Sequence, residues 1–80
     1  MCNDKYQVWE KSLSCATDPV MVAERLTYRE AWDMAQGLLF AFISKFSCPF
    51  TVTCGNGEFQ AVRQIDDLYS WGARYYIERE

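Results

Sequence analysis

The sequence has no histidine, and its 80 residues include only two prolines and four glycines. Histidine is the side chain that most readily moves protons near neutral pH, so general acid–base chemistry loses its usual carrier. The common Cys/His zinc sets cannot be completed either. Too little Pro and Gly is present for a low-complexity or linker-like chain. Positive charge is also scarce: eight Lys and Arg stand against eleven Asp and Glu, a formal net charge of −3. That balance argues against a basic nucleic-acid module, because attraction to phosphates needs clustered cations.

Long apolar runs are missing too. The longest extends only from Leu38 to Ile43, whereas a bilayer-spanning helix needs about 20 residues. The segment Met1-Cys2-Asn3-Asp4-Lys5 lacks the basic-then-apolar order of a signal peptide. The expectation is an unprocessed cytoplasmic protein. The cysteines, Cys2, Cys15, Cys48 and Cys54, contain no C-x-x-C pair. In a reducing cytosol they are expected as free thiols; secretion would instead permit two disulfides.

Apolar surface is plentiful: 50% of residues are hydrophobic and 16% aromatic, with five Phe, five Tyr and three Trp. Such a chain can bury a core and is not a disordered tail. A single compact domain over 1–80 is expected. The clearest element is a helix from about Thr27 to Phe46. Thr27-Tyr28-Arg29-Glu30 has the form of a capping box, and Leu26 before it can staple onto Ala31. Ala31, Met34, Ala35, Leu38 and Phe42 then recur at helical spacing as one stripe. Trp32, Leu39, Ile43 and Phe46 widen it on one flank. Pro49 blocks continuation.

Asn56-Gly57 is a type I′ hairpin signal, since both residues tolerate positive φ. A two-residue loop pairs Gly55 with Glu58, Cys54 with Phe59, Val52 with Ala61 and Phe50 with Arg63. That register turns Val52, Cys54, Phe59 and Ala61 toward the helix, and Thr51, Thr53, Gln60 and Val62 outward. Tyr6 to Trp9 alternates like a strand. Val20 to Ala23 pairs with it, or else Asp18-Pro19 opens a short helix; the β-branched residues favour the strand. Ala73, Tyr75 and Ile77 alternate with Arg74, Tyr76 and Glu78 as a final strand. Asp66 to Gly72 reads as a loop or a single helical turn. The expected fold is α+β, one helix on an antiparallel sheet of four to five strands in the order β-β-α-β-β-β. One helix covers one side of a sheet, which leaves the other wet or in contact with another molecule.

At 100° per residue, Phe40 falls about 180° from Ala31, opposite the stripe and among charges. It is either a lone exposed ring or an anchor for a partner. Asp66, Asp67, Tyr69, Trp71 and Tyr76 combine carboxylates with aromatics near the C-terminus. Trp71 can fold back over the core edge; the functional alternative makes these residues a contact patch. Catalysis has no assembled site: G-x-S-x-G, P-loop and G-x-G-x-x-G motifs are all missing. No enzyme activity, cofactor or metal is expected.

The chain length, the −3 charge, the capped helix Thr27–Phe46 and the Asn56-Gly57 hairpin together resemble the small phage-encoded anti-CRISPR and anti-defence proteins. The resemblance covers architecture and carries over no functional residue. It implies a non-enzymatic inhibitor that binds a CRISPR effector with a basic surface and blocks nucleic-acid binding or nuclease recruitment. Direct contact with nucleic acid or membrane is not part of that expectation. The candidate contact residues are Asp66, Asp67, Tyr69, Trp71 and Tyr76, with Phe40 separate. The alternative expectation is a self-associating module, a homodimer built on Phe40 and the helix surface.

Overall fold

Thr27 starts the helix as the sequence requires. In the computed structural model its side chain accepts the Glu30 N–H at 3.1 Å, and Glu30 Oε1 accepts the Thr27 N–H at 2.9 Å. These bonds, the backbone one first, hold the Glu30 carboxyl below its ordinary pKa. The structure describes residues 4–13, 18–67 and 70–80. The elements are β1 (Tyr6–Ser12), β2 (Val20–Leu26), α1 (Tyr28–Ser44), β3 (Thr51–Gly55), β4 (Glu58–Gln64) and β5 (Ser70–Arg79). They form one helix on a five-stranded antiparallel sheet, β2-β1-β5-β4-β3.

Asn56 at φ 53° and Gly57 at φ 75° form the expected turn. The β3–β4 register runs from Gly55↔Glu58 to Thr51↔Val62, as the two-residue loop dictates. Val20 begins a strand rather than a helix, because its segment finds an antiparallel partner in β1. The last strand starts earlier than expected, at Ser70, so Asp66–Gly72 is not one connection: Asp66 and Asp67 lie in a bend, while Trp71 and Gly72 belong to β5. Gly72 is needed there, because a Cβ would collide with the Ala61 carbonyl of β4.

The core lies between α1 and the central strands. Val8, Leu39 and Phe59 are its largest fully buried side chains, with Ala31, Ala35, Ala61, Ala73 and Tyr75 around them. Burying each large apolar chain is worth about 1.5–3 kcal/mol. The stripe is rotated relative to the expected one. Ala31, Ala35 and Leu39, at i, i+4 and i+8, point straight down, and Met34 is displaced to the rim, 38% exposed. Small alanines let the helix approach the sheet closely, and this sets the centre of the stripe.

A second correction concerns the hairpin. The helix packs on β5, β4, β1 and the margin of β2, but does not reach β3. Phe59 and Ala61 are covered, whereas Val52 and Cys54, on the same side, are exposed. Cys54 was expected to face inward; a single helix is too narrow to roof five strands. Cys48 and Cys54 are both free thiols; Cys2 and Cys15 lie outside the described residues. No helix is long and apolar enough to cross a membrane among the described residues.

Candidate protein-binding surface

Side chains alternate along a strand. Val8 is in the core, so Gln7, Trp9 and Lys11 of β1 face the other way. Tyr75 is in the core, so Arg74, Tyr76 and Glu78 of β5 do the same. Trp9 and Tyr76 are direct partners across the β1–β5 ladder. Their rings stack nearly parallel, 11° apart in plane and 6.5 Å between centroids. Trp9 Nε1–H donates to Gln7 Oε1 at 3.0 Å, which fixes the indole.

Arg74 places its guanidinium 5.2 Å from the Tyr76 ring centroid. Its Nη2 donates to Glu58, the β4 residue opposite Tyr76. Arg74 Nε is buried without a hydrogen-bond partner, so the side chain is held in place at a cost in hydrogen bonding. Burial first, then the Glu78 charge, raise the Tyr76 pKa, against a smaller lowering by Arg74. A neutral hydroxyl therefore stands on this face. Gln60, Thr51 and Thr53 extend the surface toward β3. Lys11 and Arg74 balance Glu58 and Glu78, so this face has no acidic excess, unlike the chain as a whole.

The expected contact residues fall on separate surfaces. Tyr76 belongs to the open face. Trp71, an odd number of residues away on the same strand, is on the helix side. There it meets Phe42, Phe46 and Phe50 edge-on, at 6.1, 4.8 and 5.2 Å between centroids, and so closes the end of the core. Asp66 and Asp67 lie in the bend beyond β4, where Gln64 Nε2 donates to the Asp66 carbonyl. Ser70, where β5 begins, is about 20 Å along the strand from Tyr76. Tyr69 lies outside the described residues. Phe40 is on the outer face of α1, 53% exposed, across the molecule from Tyr76.

Trp9, Glu58 and Gln7 were not singled out by sequence. The available signal was the parity of Trp9 against Val8. Its use required knowing that β1 pairs with β5, a contact spanning most of the chain. A concavity of about 360 Å³ lies beneath the end of α1, lined by Glu10, Lys45, Phe46, Trp71 and Tyr75 among others. Burial, then a hydrogen bond to Glu10, keep the Tyr75 hydroxyl protonated well above its ordinary range. Among the described residues no group of three or more Cys, Asp or Glu could hold a metal ion. Comparison with protein-family models, curated proteins and solved structures finds no match.

Proposed function

We propose that this chain is a non-enzymatic inhibitor that binds a larger protein through the unroofed face of its sheet. The observation that carries the proposal is the Trp9–Tyr76 ring pair, with Arg74 against it, on a face that the helix does not cover. Large aromatics and Arg dominate binding energies where they are desolvated by a partner. Here they are pre-arranged, so little side-chain freedom is lost on contact. Asp66, Asp67 and the net charge of −3 act at longer range and speed encounter with a basic partner. In keeping with the resemblance to anti-CRISPR proteins, the target is a CRISPR effector complex, blocked in nucleic-acid binding or nuclease recruitment.

The test is capture of purified effector complexes at rising salt. Trp9→Ala/Tyr76→Ala should lose capture at every salt concentration. Asp66→Lys/Asp67→Lys should slow association at low salt and match wild type at high salt, because exposed charges are screened. If no effector is captured at any ionic strength, the target class is wrong. If the double aromatic variant is captured as well as wild type, the surface is wrong. The exposure of Phe40 favours a second reading, self-association through the helix. Sedimentation of Phe40→Ala against wild type decides it, and identical behaviour of the two dismisses it.

A further inference from the structure

The two free edges of the sheet differ. Along β2, register shifts against β1 interrupt the ladder, Arg25 sits at φ 60°, and Glu24 and Arg25 place charge on the strand. Bulges and charges are the devices that keep edges from pairing. β3 has neither. Thr51-Val52-Thr53-Cys54-Gly55 carries no charge and no proline, and all five residues are exposed. It pairs with β4 in unbroken register. Trp32, packed edge-on against Phe59 at 5.1 Å, marks the limit of helix cover.

The turn determines which backbone groups of β3 point outward. The Ile77 N–H donates to the Gly57 carbonyl at 2.9 Å. Gly57 therefore aims its carbonyl at β5, and Glu58, next along, aims its groups at β3. Orientation alternates along the strand, so Glu58 bonds Gly55, Gln60 bonds Thr53 and Val62 bonds Thr51 within the observed register. A two-residue hairpin loop has this same phase. The N–H and C=O groups of Val52 and Cys54 are left pointing away from the sheet.

We infer that β3 pairs antiparallel with β3 of a second copy about a two-fold axis at Thr53, making one sheet continuous through both molecules. In that register Val52 lies opposite the partner's Cys54, and the two exchange both of their backbone hydrogen bonds. The two-fold repeats this, so every outward group of Val52 and Cys54 in both copies is satisfied. Thr53 meets the partner's Thr53 at a non-hydrogen-bonded position, where side chains approach most closely and Thr–Thr pairs are favourable. No like charges are brought together. Val52, 44% exposed, gains an apolar neighbour. An uncharged strand with this phase is its own complement, as an isologous interface requires. The inference is independent of the partner-binding face, and of Phe40.

Sedimentation of wild type from low to high micromolar concentration should show a reversible dimer. Val52→Pro and Cys54→Pro each remove an outward N–H that the hairpin does not use. Each should abolish the dimer with the far-ultraviolet circular dichroism unchanged. With Cys2, Cys15, Cys48 and Cys54 all changed to Ser, the protein should sediment as wild type. Thr53→Cys in that background should form an intersubunit disulfide under mild oxidation, and Met21→Cys, on the other edge, should not. A monomer throughout, a dimer indifferent to both prolines, or cross-linking at Met21→Cys in place of Thr53→Cys overturns the inference. If the prolines unfold the chain, the Thr53→Cys cross-link alone decides.

Discussion

The two faces of the sheet use the same residue types for opposite ends. Under the helix, Phe59 and Tyr75 are buried with Leu39 and Val8, and the rings of Trp32 and Phe46 reach water only at the margins of that layer. On the open side, Trp9 and Tyr76 stack on each other, leaning on Arg74 and Gln7 in place of a second layer. The buried rings exclude water and hold the fold. The open rings are positioned by polar neighbours and remain available to another molecule. An aromatic count of the sequence therefore says little about function until each ring is assigned to a side.

Mutations on the two sides should separate this contrast. Leu39→Ala opens a cavity at the centre of the helix–sheet contact and should cost about 2–5 kcal/mol. Trp9→Ala, on the open face, should cost about 1 kcal/mol or less, the worth of an aromatic pair. Chemical denaturation of both variants measures the gap, and equal losses would erase the distinction between the faces. Gly72→Ala should come next, at roughly 1–3 kcal/mol, since its methyl group meets the Ala61 carbonyl on the adjacent strand. An unchanged melting temperature would mean that β4 and β5 are less closely apposed there.

Thr27→Ala should cost about 1 kcal/mol by removing the cap, readable in the same denaturation assay. The smallest effect is one of pH. Tyr75 keeps its proton in the folded chain beyond the value of 10.0 at which an unperturbed Tyr ionises. The folded state then binds more protons than the unfolded state. Its contribution is intact below that pH and is lost as pH rises above it. Tyr75→Phe should flatten the alkaline fall in stability, and an unchanged slope would place the titration elsewhere.

Local chemistry made much of this fold legible. The Thr27–Glu30 box and the Asn56-Gly57 turn each depend on residues within four positions, and both formed as read. Even the hairpin register follows from its loop. What stayed hidden depends on distant partners. The sequence does not say that β1 lies beside β5, so Trp9 could not be matched with Tyr76. Nor does it give the width of the helix against the sheet, and so Cys54 and Val52 were expected to be covered. Trp71 and Tyr76 are near in sequence, but the early start of β5 puts them on opposite faces. The charges follow the same pattern: Asp66 and Asp67 lie far along the sheet from the aromatic pair, whose immediate charges balance.

The most direct test of the open face as the contact surface is hydroxyl-radical footprinting of side chains in the protein alone and in complex with its captured target. Loss of side-chain accessibility should centre on Gln7 to Lys11 and Arg74 to Glu78, with the outer face of α1 unchanged. Protection confined to the helix around Phe40, or to the Asp66-Asp67 bend, would contradict it.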